Sequence, residues 1–397
     1  MPNILLKLPA EVQKILEIFE ADICLVGGAV RDLLLNKTTF DYDFCSLLTP
    51  KQVQEKLHQH HIKSLDINAK YGTIIALLGD YQLQITTARS EKNFAGRACE
   101  VSFDVGSYSQ DASRRDFTIN ALYLDFYGNI LDFYNGQQHL AERKIEFIGD
   151  AKQRIIEDHL RILRFFRFNI CYSQNYQPKQ LQICLDQAFL LSKISKPRIR
   201  DEMLKILHSL AYFHPIFVFL NDLAKFTGWH LQISVLQRIA KLKNIVNDLQ
   251  LNTQILLALA LLNGDFIANN ATWQNLCFTK SEKKLFHKLW QDYLFFMQEP
   301  VEEKEFWLAY FTIFADNLYM QNLLLFLFGN NYLSLADYQN FCQKITVWQQ
   351  KKLPVTASDL IKINIKPHLI KQNLQTLAKI WIKHNFMLSK KDLLHHL

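Results

Sequence analysis

Residues 25–44 read LVGGAVRDLLLNKTTFDYDF, and the parsing of that run decides the fold expected for the chain. A short apolar strand, Ile23–Val26, leads into a tight Gly27-Gly28 turn. A helix follows from about Ala29 to Leu35, and a second strand, Asp41–Phe44, carries two acids. Two glycines between strand and helix let backbone N–H groups approach a phosphate closely, and the helix N-terminus adds partial positive charge. Arg31 falls in the first helical turn, where a guanidinium can grip phosphate oxygens through two parallel bonds. Residues two apart in a strand share a face, so Asp41 and Asp43 present paired carboxylates. Such a pair can hold two Mg²⁺ ions at an in-line phosphoryl displacement. A glycine turn or an Asp-x-Asp alone is commonplace. In this order they describe a phosphate cradle beside a metal site, the parts a nucleotidyl transfer needs.

Two later segments carry complementary chemistry. In SRRDFTINALYLD (113–125), Arg114, Arg115 and Asp116 precede a run whose Phe117, Ala121 and Leu122 can pack inward. Adjacent arginines with an Asp suit triphosphate and ribose contacts, and Asn120 lies one turn from Asp116, close enough to support it. In IIEDHLRILRFFRF (155–168), a helical reading makes Asp158 and Arg161 i,i+3 neighbours. Arg164 and Arg167 then lie further round, and Ile156, Leu160 and Leu163 form the packed stripe. Cytosine and adenine both place an amino donor beside a ring-nitrogen acceptor, whereas guanine and uracil reverse the order. Asp accepts and Arg donates, so an Asp158–Arg161 pair matches C and A and mismatches G and U. Two unsatisfied polar groups in a mismatch would give discrimination of about 10³ or more.

GGAVRD followed by DYDF resembles the motif of the class II tRNA nucleotidyltransferase and poly(A) polymerase family. RRDF and EDxxRxxRxxRF, in order, extend the resemblance over about the first half of the chain. It implies a nucleotidyltransferase palm for the head, Mg²⁺ as cofactor, CTP and ATP as substrates and a tRNA 3′ end as partner. It also implies nucleotide binding by Gly27, Gly28, Arg31, Arg114, Arg115, Asp116, Asn120, Asp158, Arg161, Arg164 and Arg167. ISKPRIRDEMLKIL (194–207) resembles the family segment that buttresses the template helix. Arg198 and Glu202 are expected there as an i,i+4 pair, and these two with Glu157 are assigned to structural support. Relatives tend to carry Glu where this chain has Gln84, in the strand Gln82–Thr87. Either two carboxylates suffice, or the metal site is degenerate. The polar run Ser90–Ala98 reads as a mobile loop, at a place that the family associates with switching nucleotide choice.

The composition, 49% hydrophobic and 21% charged over 397 residues, is that of an ordinary globular protein of two or more domains. Only 12 Gly and 9 Pro favour helix, above all beyond residue 150. Seven scattered cysteines without a CxxC read as reduced core residues, and with no signal-peptide pattern the chain is expected to be cytoplasmic. The apolar runs 255–262 and 323–328 fall short of the ~20 residues a membrane span needs. No obligatory protein partner is inferred.

The expected fold is α+β: an N-terminal palm with a small mixed β-sheet, then an all-α remainder. The sheet is expected to include Ile62–Ile67, Thr73–Leu78 and a strand near Glu100–Phe103. The divisions are 1–150 head, 151–207 neck, 208–300 body and 301–397 tail. From Lys344 onward ten lysines face only Asp359 and Asp392, and no arginine follows Arg238. Lysines act as point charges on phosphates, which suits a sequence-tolerant grip on an RNA backbone. Lys344, Lys351, Lys352, Lys362 and Lys366 are the candidates for tRNA contact. LPVTASDLI (353–361) resembles a tail segment of bacterial CCA-adding enzymes. The expected activity is untemplated addition of C and A to tRNA. Its rivals are a poly(A) polymerase, an enzyme adding only CC or only A, and a catalytically inactive RNA-binding protein.

Overall fold

The computed structural model describes residues 4–68, 72–88, 90–95, 98–102, 106–209, 214–245, 276–299, 303–349 and 351–397. Tyr71, Arg89 and the apolar run 255–262 lie outside the described residues. The fold is α+β, and the chain divides into two compact units. One comprises the residues up to Ser209 with His214–Thr227, and the other runs from Gly228 onward together with residues 210–213.

In the first unit a helix α1 (Ala10–Phe19) enters at Pro9, as its amphipathic pattern predicts, burying Val12, Ile15, Leu16 and Phe19. Strand β1 (Ile23–Val26) is buried at all four positions, as a central strand covered on both faces must be. The glycine turn and helix α2 (Gly28–Leu34) follow, then β2 (Asp43–Ser46). Helix α3 (Pro50–Gln59) begins at a Thr49–Gln52 capping box with Pro50 in its first turn, the expected start signal. Strands β3 (Lys63–Asn68), β4 (Thr73–Leu78) and β5 (Tyr81–Thr87) come next.

The main sheet is completed by β8 (Leu122–Leu124) and β9 (Ile130–Asp132), in the order β3-β4-β5-β2-β1-β8-β9. The β2–β5 pair is parallel and the other neighbours antiparallel, a mixed sheet as expected. Register places Asp43 between Val26 of β1 and Gln84 of β5. Where a loop is expected, β6 (Ser90–Ala95) is a strand that pairs with β7 (Ala98–Ser102) as a separate two-stranded ribbon. The strand expected near Glu100–Phe103 therefore belongs to that ribbon and not to the main sheet. Polar composition does not forbid a ribbon, because backbone groups alone make its ladder.

Helices α4 (Tyr108–Ser113) and α5 (Gly136–Ala141) flank β8 and β9, and a 3₁₀ turn spans Thr118–Asn120. Four helices then run through α6 (Ala151–Glu157), α7 (Arg161–Tyr172), α8 (Pro178–Asp186) and α9 (Lys196–His208). The structure breaks the expected single helix across 155–168. Asp158 is extended, at φ −143° and ψ 105°, where α6 ends, and α7 starts three residues later. Ile155 and Leu163 are buried, but Ile156, expected in the packed stripe, is exposed.

The second unit is helical: α10 (Ile233–Ile245), α11 (Lys280–Gln298), α12 (Lys304–Phe314), α13 (Asn317–Gly329) and α14 (Leu335–Trp348). Helix α13 buries Leu323 through Phe328 on every side, so it is the central helix of this group. Helices α15 (Ala357–Lys362), α16 (Ile370–Lys383) and α17 (Lys390–Leu394) share a cluster of Val355, Leu360, Leu377, Trp381 and Leu393. Among the described residues no helix is long and apolar enough to cross a membrane.

Candidate active site

Gly27 adopts φ +75° and ψ −122°, a conformation that a side chain makes costly. Its N–H donates to the Leu122 carbonyl at 3.0 Å, which ties the turn to β8. A Cβ at Gly27 would lie 3.1 Å from Arg115 Nη1 and 3.6 Å from the Asn120 carbonyl oxygen. The first glycine of the turn is thus the place where backbone and the Arg115 guanidinium meet.

Asp43 opens β2, and Asp41 lies two residues before the strand, which starts later than the sequence pattern implies. The alternation nonetheless persists, with Tyr42 and Phe44 buried and Asp41 and Asp43 exposed. Loss of solvent around the Asp43 carboxyl, with the Asp41 charge beside it, pushes its pKa up to about 6, while Arg115 pulls the other way. The three groups are therefore electrostatic neighbours. Two neighbouring carboxylates, one of them short of solvent, are a donor set suited to a hard divalent cation. Gln84, beside Asp43 in the register, is exposed and offers only a neutral amide. Among the described residues no group of three or more His, Cys, Asp or Glu is placed to hold a metal.

Behind this edge lies a network of buried ion pairs. Asp111, fully buried, accepts from Arg114 Nε at 2.8 Å, Arg115 Nε at 3.0 Å and the Tyr123 hydroxyl at 2.7 Å. Burial opposes its charge, but Arg115 and Arg114 hold the carboxyl well below the usual range. Asp116 accepts from Arg164 Nε at 2.6 Å, Asn120 Nδ2 at 3.0 Å and the Phe117 N–H at 2.8 Å. These outweigh its burial and lower its pKa. Asn120 in turn accepts from Arg31 Nη1 at 2.5 Å, so its amide joins α2 to α7 through Asp116. The structure brings Asp116 and Asn120 together as the sequence implied, by way of the 3₁₀ turn.

Arg31 is placed differently from the phosphate-gripping residue of the sequence reading. Its side chain is 7% exposed, Nε and Nη2 each donate to Asp32 at 3.0 Å, and its plane sits 4.1 Å from the Tyr172 ring centroid. Arg164 and Arg167 flank the Phe168 ring at 5.2 and 4.5 Å, and Arg167 donates to Glu202.

The Asp158–Arg161 pair is not presented from one helical face, because the chain breaks between them. Arg198 Nη2 donates to both Asp158 oxygens at 3.0 and 3.1 Å. Arg161 instead donates to Glu157 at 2.8 Å, to the Arg154 carbonyl at 2.9 Å and to the Arg114 carbonyl at 2.7 Å. That last bond links the start of α7 to the chain carrying Arg115. The expected Arg198–Glu202 pair is absent: Arg198 serves Asp158, and Glu202 serves Arg167. The nearer partners in space win over those four residues away in sequence. Glu157 is buried between Arg154 and Arg161, both at 2.8 Å.

Asp111 is the residue that sequence reasoning missed. Its signal was spacing, three and four residues ahead of Arg114 and Arg115, hidden because a lone acid in a polar run reads as surface. In the second unit Lys344 pairs with Glu305 at 2.6 Å, while Lys351, Lys352, Lys362 and Lys366 are exposed.

The Poly A polymerase head domain matches residues 23–146, and the probable RNA and SrmB-binding site of polymerase A matches residues 177–213. The chain is similar to human CCA tRNA nucleotidyltransferase 1, mitochondrial, at 29% identity over 95% of this chain and 86% of that protein. It is 37% identical to the CCA-adding enzyme of Lactobacillus helveticus over 52% of this chain and 51% of that one. For several curated relatives the match spans about half of their length. The Thermotoga maritima CCA-adding enzyme complexed with tRNA-CCA superposes with a TM-score of 0.71 at 18% identity, over 99% of this chain and 96% of that one. The Bacillus stearothermophilus CCA-adding enzyme in complex with CTP gives 0.68 at 20% identity, over 95% and 94%. At these identities the likeness is one of fold.

Proposed function

The chain belongs to the class II tRNA nucleotidyltransferase and poly(A) polymerase family, and from that premise we propose that it adds C and A to the 3′ end of tRNA from CTP and ATP. The observation that carries the reading is the coupled Asp41–Asp43 pair beside Arg115 and the Gly27 turn, in a chain aligned with the human CCA-adding relative along 95% of its length. Relatives and structural neighbours named for CCA addition favour it over poly(A) synthesis.

Asp41 and Asp43 would hold Mg²⁺. When bound, the ion lowers the pKa of an attacking hydroxyl and neutralises charge on the phosphates. The chain's own groups do the rest by positioning and charge. Arg115, with Arg114 beside it, meets the triphosphate at the glycine turn, and Asp116 and Asn120 hold Arg164 toward the same region. Arg31, locked by Asp32 and Asn120, braces α2 against α7. Asp158 and Arg161 select the base: the carboxylate keeps lone pairs beyond those taken by Arg198, and Arg161 keeps N–H groups beyond those given to Glu157 and two carbonyls. Glu157 and Arg198 fix those two side chains, and Glu202 fixes Arg167. The exposed tail lysines Lys351, Lys352, Lys362 and Lys366, with Lys344, would grip tRNA phosphates. The four-part division at 150, 207 and 300 and a cytoplasmic location belong to the same reading.

The test is incubation of a tRNA lacking its last three nucleotides with each NTP alone and with CTP plus ATP, followed by product sequencing. Growth by CCA and then arrest is the expected result. A long A tract would make it a poly(A) polymerase, arrest at CC or A alone a partial-specificity enzyme, and retention without growth a binding protein.

A further inference from the structure

We infer that Asp111 is a positioning residue for the nucleotide triphosphate, acting through Arg115 and Arg114. It rests on the nucleotidyl-transfer reading of the same site and adds to it a residue that touches no substrate. One carboxylate, wholly buried, divides its oxygens: Oδ1 accepts from Arg114, and Oδ2 accepts from Arg115 and the Tyr123 hydroxyl. Arg115 Nη2 closes on the same Oδ2 at 2.9 Å, and its Nε also meets the Tyr123 hydroxyl at 3.0 Å. Asp111 and Tyr123 thus take the Nε and Nη2 edge of that guanidinium. Its Nη1 is turned the other way, 3.3 Å from the Asn120 carbonyl and beside the space above Gly27.

A planar guanidinium held along one edge has little freedom left in its other edge. Within the Asp111–Arg114–Arg115 group one buried negative charge faces two positive ones, and the positive charge left over is the complement of a polyphosphate. An isosteric amide cannot replace it. Asn accepts only through its oxygen and would aim an NH₂ at one of the arginines.

The test is equilibrium binding of CTP, and separately of pyrophosphate, to the full chain without RNA, with tRNA binding measured in parallel. For Asp111→Asn, dissociation constants for CTP and pyrophosphate should both rise about tenfold or more, the scale of one charge-assisted hydrogen bond. Affinity for tRNA should stay within about twofold, a split that a general loss of structure would not give. Unchanged CTP affinity, or an equal loss for tRNA, would overturn the assignment. Should Asp111→Asn not fold, Tyr123→Phe keeps ring and carboxylate while removing the hydroxyl's bonds to Asp111 and Arg115, and a CTP loss of a few-fold is expected; no loss overturns the proposal. A wild-type chain that binds CTP but never extends tRNA would sink the proposed function and leave this inference standing. One that binds neither CTP nor pyrophosphate would sink both.

Discussion

At Gly27 two constraints coincide: a backbone angle that other residues avoid, and an arginine 3.1 Å from where a Cβ would stand. Gly27→Ala should therefore lower CTP incorporation by about tenfold or more through strain and displacement of Arg115, with a smaller effect on tRNA binding. Asp43 makes a prediction about pH. Its folded pKa, about 6, lies above its ordinary 3.8, so the folded protein binds that proton more tightly than the unfolded chain does. The stability this contributes is full below the ordinary value and lost as pH rises through about 6. In metal-free protein at pH 8, Asp43→Asn should raise Tm by about 1–2 °C, a figure kept small because the side chain is exposed. At pH 4 the difference should nearly vanish; a gain larger at pH 4 than at pH 8 would contradict it. At this scale the acids were legible because alternation puts Asp41 and Asp43 on the surface on either side of a buried Tyr42. Asp111 was not, because what marks it is burial beneath β8, a tertiary fact.

Among the elements, the break between α6 and α7 decides how the base-selecting residues are held. No Gly or Pro announces it in IIEDHLRILRF. It is held by long-range bonds, Arg198 to Asp158 and Arg161 to the Arg114 carbonyl, that local spacing cannot reveal. Starts with side-chain signals were readable: Thr49-Pro50 opens α3, as its capping box requires. The strand Ser90–Ala95 escaped notice because a polar segment has no apolar face to betray its period. Glu157 offers a test of the element. Replaced by Ala, it leaves Arg154 and Arg161 without their shared carboxylate. Denaturant unfolding should show about 3 kcal/mol less stability. A loss below about 0.5 kcal/mol would mean that the pairs count for little.

Taken whole, the chain joins a mixed-sheet unit bearing the catalytic candidates to a helical unit rich in exposed lysine, with a formal charge of +7. The α+β class was legible because sparse Gly and Pro and helical periodicity follow a strand-rich start. Where the units divide was not, since no Pro- or Gly-rich linker marks it. If the tail lysines grip phosphates, tRNA affinity should fall steeply with salt while CTP affinity falls less. Changing Lys351, Lys352 and Lys366 together to Ala should shallow the log–log slope by about one unit per lysine. An unchanged slope would remove these residues from the interface.

The most direct test is single-turnover incorporation of CTP into a tRNA ending before its CCA, comparing wild type with Asp43→Ala at saturating Mg²⁺. The prediction is a rate at least about 10³-fold lower, with CTP still bound and the fold intact by thermal melting. Extension by Asp43→Ala at the wild-type rate would contradict it.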